Sequence, residues 1–238
     1  MAGLSSRFFK AGYTQPKYML EAHGKSLFRH SVESFQRYFA TEEFLFIIRD
    51  VYGTYDFVTR EVTNMGIKSY RIFVLDSETR GQAETVYLAL ETLRGHEPIT
   101  IFNIDTFRPG FEYPATIGKL DGYLEVFEGS GDNWSFIKLD KNDHSRVALT
   151  TEKNPVSNLC CTGLYYFSDM QVFKNSFIEY ASRPQSEWEK AELYVAPLYN
   201  LLISRGDSIG YDLIDDNQVI FCGVPQEYLD FKDTKITP

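Results

Sequence analysis

The sequence has little cysteine and no long apolar run. Three of its 238 residues are cysteines, and two of them, Cys160 and Cys161, are adjacent. An odd number without framework spacing predicts a reducing compartment and no disulfides, and adjacent cysteines are a poor pair of metal ligands. No apolar stretch approaches the ~18 residues of a membrane-spanning helix, and no secretory signal precedes the first charged residue, so the expected location is the cytoplasm.

Positive charge is also scarce. Lys and Arg number 24 against 33 Asp and Glu, which gives a formal net charge of -9 and a pI near 5.0. This balance argues against general nucleic-acid binding, which needs a basic face. It still allows an anionic small molecule if the few cations gather locally. Such a gathering stands at the start of the chain, where Arg7, Lys10, Lys17 and Lys25 alternate with glycines.

An alternation of apolar and amphipathic patterns fills the first half of the chain. The apolar runs are nearly continuous, as is typical of strands that are buried on both faces. The predicted strands are residues 43–49, 67–75 and 98–105, and the predicted helices are residues 25–39, 54–66 and 81–95. Strands that alternate with helices of this length predict βαβ units and a mostly parallel sheet.

The second half changes to short strands separated by polar turns, which indicates an antiparallel or mixed extension of the sheet. The predicted strands are residues 122–128, 134–140, 146–153 and 159–167, followed by helices at 170–182 and 187–205, a strand pair within 211–223 and a closing helix. Pro197 predicts a break in the second of these helices, and Pro225 suits the first turn of the last one. No linker or repeat is apparent, so we expect one α/β domain.

The basic opening of the chain lacks the usual phosphate-loop spacings, because neither G-x-x-x-x-G-K-[ST] nor G-x-G-x-x-G occurs there. Glycine near a helix start would still let backbone N–H groups face a phosphate, and the guanidinium of Arg7 could bind it with two nitrogens. The residues alone leave two interpretations open: a local anion site, or a solvated segment with scattered lysines.

Three motifs in this opening carry a resemblance. "AGLSSRF", then "QPK" and then "GKSLFRHSVESF" resemble the signature loop of the nucleotidyltransferases, of the sugar-phosphate nucleotidylyltransferase type. In that family the loop wraps a nucleoside triphosphate, so the resemblance implies catalytic, phosphate-neutralising roles for Arg7 and Lys17. It also implies that the nucleotide is bound by the loop residues Ala2, Gly3, Leu4, Ser5 and Ser6. The family carries an apolar strand before this loop, so we expect the natural chain to begin upstream of Met1.

The resemblance spans nearly the whole chain and implies a Rossmann-like nucleotidyltransferase fold, with a mixed, mostly parallel central sheet flanked by helices. Residues 1–110 would form the nucleotide-binding half, and residues 111–238 the acceptor-binding half. "RGQAETVYLAL" resembles the family segment that meets the nucleobase, which implies that Gly81 and Gln82 bind the base, with Glu84 as a further candidate. The alternative is an ordinary first turn of a helix.

Asp105 ends the run "IFNID". A carboxylate at the carboxyl end of a buried strand suits a ligand cleft and Mg²⁺, although a strand-end Asp that simply starts a turn fits as well. The family places a metal-binding Asp here, so the resemblance implies Mg²⁺ on Asp105. The family's closing W-x-D-x-G-T-P reads "VIFCGVP" in this chain, with Phe221 in place of the second metal-binding Asp. Three explanations stay open: Asp215 or Asp216 substitutes, the metal relies on Asp105 and phosphates alone, or the chain is not an active transferase.

The segment "TTEKNPVSNLCCTGLYYF" resembles the family's E-K-P block and the strand that follows it. The resemblance implies that Glu152, Lys153 and Gly163 bind the acceptor, although Asn154 interrupts the block. Taken alone, an adjacent Glu and Lys are usually a solvated pair. The preceding "WSFIKLD" resembles a subgroup encoded with genes for cell-surface polysaccharide, such as capsule.

The implied function is Mg²⁺-dependent transfer of a nucleoside monophosphate from an NTP to a phosphorylated acceptor, such as a sugar 1-phosphate, with release of pyrophosphate. The expected partners are the NTP and this small acceptor, with no nucleic acid and no membrane insertion, and a homo-oligomer stays open. The alternatives are a cytidylyltransferase with a non-sugar acceptor, a non-catalytic nucleotide-binding relative, and a glycosyltransferase of related fold. Asn103 stands where the Asp-x-Asp motif of that last class needs its first Asp, which weakens it.

Overall fold

The computed structural model describes residues 1, 3 and 5–234, so the predicted nucleotide-binding residues Ala2 and Leu4 lie outside the described residues, as do residues 235–238. In the described chain the α-helices are α1 (Ser6–Lys10), α2 (Leu27–Glu33), α3 (Thr54–Met65), α4 (Gln82–Glu91), α5 (Met170–Ala181), α6 (Tyr199–Arg205) and α7 (Pro225–Asp233). The strands are β1 (Glu21–Ala22), β2 (Lys25–Ser26), β3 (Glu43–Ile48), β4 (Ser69–Val74), β5 (Ile99–Phe102), β6 (Thr106–Phe107), β7 (Gly122–Glu128), β8 (Ser135–Leu139), β9 (Val147–Glu152), β10 (Leu159–Phe167), β11 (Ile209–Ile214) and β12 (Ile220–Phe221).

These elements form two compact units that alternate along the sequence. The first unit contains Met1–Glu78, Asn103–Glu112 and the described part of Asn217–Pro238. The second unit contains Thr79–Phe102 and Tyr113–Asp216. Among the described residues, no helix is long and apolar enough to cross a lipid bilayer.

The first unit pairs its strands two by two. β3 and β4 are parallel, β6 and β12 are antiparallel, and β1 and β2 form a hairpin. His23 and Gly24 connect the hairpin with left-handed backbone angles (φ of 52° and 76°), as a type I′ turn requires. One apolar cluster of this unit contains Phe28, Phe46, Ile48, Val58 and Val62. A second cluster contains Phe8, Leu27, Phe107, Cys222, Tyr228 and Phe231.

Local sequence signals set the helix ends of the first unit. The hydroxyl of Ser26 accepts the N–H of Arg29 at 3.1 Å and so begins α2. Gly66 ends α3 in the left-handed conformation that favours glycine, with φ of 74°. Pro225 stands in the first turn of α7, as predicted, where its missing N–H costs no hydrogen bond.

The second unit contains one mixed sheet of six strands in the order β11-β7-β10-β8-β9, with β5 also paired to β10. β11 is parallel to β7, and the other ladders are antiparallel. Tyr199 of α6 packs against this sheet with its ring stacked 4.5 Å from that of Phe167. Its hydroxyl donates to the backbone oxygens of Tyr123 and Tyr166, so the large ring is buried without an unpaired polar end.

The predicted α/β fold of the Rossmann-like class, with a mixed sheet, is confirmed, but several element boundaries are wrong. The predicted helix 187–205 is an α-helix only over α6, because Pro197 and short 3₁₀ turns precede it. The predicted helix 25–39 ends at Glu33 and continues as the 3₁₀ turn Gln36–Tyr38. The predicted strand pair within 211–223 is two strands with other partners, since β11 pairs with β7 and β12 pairs with β6.

Candidate active site

Lys17 and Asp105 form an ion pair in the first unit. Lys17 follows Pro16 and opens the 3₁₀ turn Lys17–Met19, while Asp105 lies in the turn just before β6. The ammonium Nζ of Lys17 lies 2.5 Å from Oδ2 of Asp105, and the two side chains are 20% and 24% exposed. The strand that was predicted to end at Asp105 ends at Phe102, so the carboxylate is carried by a turn rather than by the strand.

The opening loop is tied to Lys17 through Ser5. The backbone N–H of Lys17 donates to the hydroxyl of Ser5 at 3.1 Å. Ser5 has a left-handed backbone, with φ of 49°, immediately before α1. Non-glycine residues in this conformation are strained and occur preferentially at functional sites. The structure therefore brings together three of the predicted residues: Ser5, Lys17 and Asp105.

The other predicted residues of the opening are more open to solvent. Gly3, Ser6 and Arg7 are exposed, and Arg7 lies on α1 with its guanidinium accessible to a ligand. The neighbouring Phe8 is fully buried in the second apolar cluster and anchors the helix. The loop thus combines a fixed apolar residue with exposed polar ones.

Charge and burial act in opposite directions on Asp105. Burial alone would raise the pKa of this carboxyl, but the charge of Lys17 and its hydrogen bond outweigh that and hold the pKa of Asp105 below its ordinary value. Asp105 is therefore ionised at neutral pH, and the ion pair is complete.

Gly223 and Glu227 complete the surroundings of Asp105, and sequence analysis missed Glu227. The N–H of Cys222 donates to the backbone oxygen of Asp105 at 2.7 Å. A Cβ atom on Gly223 would lie only 3.1 Å from Oδ2 of Asp105, so glycine leaves room for the carboxylate. Oε2 of Glu227 accepts the N–H groups of Gly223 and Val224 at 2.7 and 3.1 Å and so caps the start of α7.

The residues around Asp105 do not fit a resident magnesium ion. Its carboxylate already has a cation, Lys17, and the nearby Oε2 of Glu227 is used to cap a helix. The side chain of Phe221 has no oxygen that could bind a metal. Within the described residues, no group of three or more His, Cys, Asp or Glu side chains could hold a metal ion. The other predicted ligands, Asp215 and Asp216, are exposed, follow β11 and belong to the second unit.

Glu152 lies at the end of β9 in the second unit, with only 6% of its side chain exposed. The hydroxyl of Ser135 donates to Oε2 of Glu152, and the N–H of Glu152 donates to a carboxylate oxygen of Glu189. Burial raises the pKa of Glu152 above its ordinary value, against the opposing effects of Ser135 and Lys153, while Glu189 and Glu192 raise it further. Glu152 is thus a buried, oriented hydrogen-bonding group rather than a solvated one.

Lys153 has a left-handed backbone, with φ of 51°, held by the bond from its N–H to the oxygen of Trp134 at 2.8 Å. Its Nζ lies 2.5 Å from the hydroxyl oxygen of Tyr194, 4.5 Å from the centre of the Tyr194 ring and 3.9 Å from Oε1 of Glu152. Glu152 and Lys153, the pair predicted from the E-K-P block, are therefore held by specific buried and aromatic partners rather than solvated.

The predicted glycines have identifiable backbone roles. Gly163 has φ of 95° and lies in the stretch of β10 where the register to β7 shifts, which is a bulge that favours glycine. Gly81 has φ of 153°, and a Cβ atom there would lie 2.5 to 2.7 Å from the backbone of Leu193. Gln82 begins α4, and Glu84 is paired with Arg80, so its carboxylate serves the helix start.

Tyr194, Ser135, Glu189 and Glu227 are the surrounding residues that sequence reasoning missed. Tyr194 and Glu189 follow Lys153 by dozens of positions, and no local pattern links them. Glu227 could have been found, because it stands three residues after the residue that precedes a helix. The usual capping-box signature begins with Ser or Thr, however, and this one begins with Val224.

A Rossmann-like α/β fold, with the lysine of a glycine-containing loop tied to a carboxylate, is typical of nucleotide-binding proteins. No family model matches the chain, and no curated protein sequence matches it. Solved structures do. The nucleoside-diphosphate-sugar pyrophosphorylase of Vibrio cholerae RC9 is 56% identical over 98% of both chains, with a TM-score of 0.95.

More distant structures share the fold. A putative glucose-1-phosphate thymidylyltransferase from Bacillus anthracis, in complex with a sucrose, is 16% identical over 99% of this chain and 94% of its own, with a TM-score of 0.74. A UDP-glucose pyrophosphorylase complexed with UDP-glucose is 15% identical over 97% and 94%, with a TM-score of 0.75. The chain belongs to the nucleotidyltransferase family of enzymes, as the signature-loop resemblance predicted.

Proposed function

We propose that the protein transfers a nucleoside monophosphate from an NTP to a sugar 1-phosphate and releases pyrophosphate. The product would be a nucleoside-diphosphate sugar, an activated precursor for cell-surface polysaccharide. The likeness to the Vibrio cholerae pyrophosphorylase over nearly the whole chain supports this reaction class. Three buried, free cysteines support a cytoplasmic location, where thiols stay reduced.

One observation carries the proposal: Lys17 is fixed to the opening loop by its backbone and to Asp105 by its side chain. This contact places an ammonium group beside the loop that the family uses for the triphosphate. Exposed Arg7, on the helix that follows the loop, would add a guanidinium for the same phosphates.

The chemistry needs cations more than it needs a base. The attacking group is a phosphate oxygen that is already anionic, so no residue has to remove a proton. Two anions must be brought together instead, and two unit charges ~4 Å apart interact by about 4 kcal/mol at an effective dielectric constant near 20. Lys17 and Arg7 would neutralise the triphosphate, and positioning would supply much of the remaining acceleration.

The second unit would bind the acceptor and the nucleobase. Lys153 would pair with the acceptor phosphate, and the buried carboxylate of Glu152 would accept hydrogen bonds from sugar hydroxyls. Gly163, at the bulge of β10, would bind the acceptor as well, and Gly81 and Gln82 would meet the base. Magnesium would enter as its complex with the triphosphate, which makes it part of the substrate.

A pyrophosphate-release assay tests the proposal. The protein is incubated with Mg²⁺, each of the four NTPs in turn and a panel of sugar 1-phosphates and non-sugar phosphates. We expect release that requires one NTP and one sugar 1-phosphate together. Nucleotide-sugar hydrolysis would instead indicate a glycosyltransferase, and nucleotide binding without any release would indicate a non-catalytic relative.

A further inference from the structure

The carboxylate that the family resemblance gives to a metal is occupied by a lysine in this chain. Nζ of Lys17 lies 2.5 Å from Oδ2 of Asp105, and both side chains are about three-quarters buried. A divalent cation that bound this oxygen would come close to the ammonium, and the two positive charges would repel each other strongly. Lys17 and the metal therefore compete for Asp105.

Among the described residues around Asp105, no second side chain is available as a metal ligand. Phe221 occupies the position of the family's other carboxylate, and Oε2 of Glu227 is engaged by the N–H groups of Gly223 and Val224. Magnesium sites with one carboxylate depend on substrate phosphates for their remaining ligands. A cation without a triphosphate would meet the carboxylate of Asp105 together with the opposing ammonium of Lys17.

We infer that Lys17 locks Asp105 against divalent cations until a triphosphate arrives and takes over the ammonium. The inference rests on the proposed function, in which Lys17 binds the phosphates. A triphosphate would draw the Lys17 ammonium away from Asp105, so the carboxylate and the phosphates compete for one lysine. While the pair is closed, neither a free divalent cation nor a metal-free triphosphate binds well.

Removing the ammonium should strengthen metal binding in the absence of nucleotide. Mn²⁺ is the probe, and protein is titrated into it in a buffer without phosphate. The electron paramagnetic resonance signal of free Mn²⁺ gives the fraction that stays unbound. We expect Lys17→Met to bind Mn²⁺ at least about tenfold more tightly than the wild type, because a repelling charge is gone. The double variant with Asp105→Asn should lose this gain, and Lys68→Met, at an exposed lysine of the same unit, should not change binding.

Removing the carboxylate should strengthen metal-free binding of a triphosphate. Inorganic triphosphate is titrated calorimetrically in EDTA, so that neither a base nor a metal contributes. We expect Asp105→Asn to bind it at least about fivefold more tightly, since the ammonium of Lys17 is released and an opposing negative charge is removed. Asp56→Asn, at an exposed position of α3, is the matched control.

Two outcomes overturn the lock: wild-type protein that binds Mn²⁺ as tightly as Lys17→Met, or Asp105→Asn that binds triphosphate no more tightly than the wild type. Thermal unfolding of each variant shows that it is folded. The Mn²⁺ measurement and the triphosphate measurement rest on different single variants, Lys17→Met and Asp105→Asn. Neither arm uses an acceptor or measures turnover. A missing transfer activity would therefore overturn the proposed function and leave the lock to be judged by these two measurements.

Discussion

The Nζ atom of Lys153 lies 2.5 Å from the hydroxyl oxygen of Tyr194 and 4.5 Å from the centre of its ring. Leu193, the residue before Tyr194, approaches Gly81 closely and accepts the N–H of Ala83 at 2.8 Å. One short segment of the second unit therefore contacts a predicted acceptor residue and a predicted nucleobase residue. Tyr194 contacts the ammonium of a lysine whose backbone is itself held in the left-handed conformation.

Tyr194 should affect binding of the acceptor more than turnover. Tyr194→Ala removes both the hydroxyl and the ring face, and we expect the acceptor KM to rise about tenfold with kcat little changed. Tyr194→Phe keeps the ring and should raise KM about threefold. Initial rates over a range of acceptor concentrations measure both constants. Tyr55→Ala, at an exposed tyrosine, is the control, and an equal fall in kcat for all three variants would contradict the positioning role.

Loss of either partner of the first-unit ion pair should slow the reaction. Lys17→Ala removes a cation from the triphosphate, and Asp105→Asn removes the charged group that orients Lys17. We expect each to lower turnover at least about 100-fold, the usual effect of losing one transition-state contact. Pyrophosphate release at saturating substrates is the measurement, and a near-wild-type rate for either variant would remove that residue from the mechanism.

A side chain at position 81 should destabilise the second unit. A Cβ atom on Gly81 would meet backbone atoms of Leu193 at 2.5 to 2.7 Å, and backbone cannot turn aside as a flexible side chain can. We expect Gly81→Ala to lower the free energy of unfolding by about 3 kcal/mol. Urea unfolding measures the loss. Gly131→Ala separates the two causes, since Gly131 also has a left-handed φ, of 100°, but a Cβ there would contact nothing within 4 Å, and we expect a loss of only about 1 kcal/mol.

The buried carboxyl of Glu152 should make stability depend on pH. Burial raises its pKa in the folded protein, so Glu152 favours the fold below its ordinary pKa, and this contribution is lost as the pH rises through the raised value. Glu152→Gln stays neutral and keeps an oxygen for Ser135. We therefore expect it to be more stable than the wild type at pH 7, with a difference that shrinks toward pH 4. Urea unfolding at both pH values tests this, with exposed Glu187→Gln as the control.

The sequence predicted elements well where the apolar pattern was continuous. The nine residues of β10 were predicted without error, because the run is mostly apolar and aromatic and is bounded by polar residues. The ends of helices were predicted wrongly where a local signal, such as a cap, stopped the helix before the apolar pattern stopped. The predicted helix 25–39 shortened because Ser26 caps it at one side and its last turn tightened into a 3₁₀ turn at the other.

Candidate residues were predicted through the family resemblance more than through local chemistry. Nothing near Lys17 points to Asp105, which is 88 positions away, and only the motif related them. Tyr194 and Glu189 carry no motif, so their contacts with Lys153 and Glu152 emerge only when the chain is folded. Nucleotide binding, acceptor binding and the cation were likewise implied by the motif, and the variants above test them directly.

The second apolar cluster of the first unit has a consequence for how the protein is made. Its early members, Phe8, Leu27 and Phe107, leave the ribosome long before Tyr228 and Phe231, because most of the second unit, Tyr113–Asp216, is translated after Phe107 and before Tyr228. Until α7 emerges, this cluster of the first unit is incomplete, and its aromatic side chains stay exposed to solvent. A chain stopped shortly before Pro225 would retain all the motif residues that we assign to phosphate binding, yet it would be a target for chaperones and proteases rather than a functional enzyme.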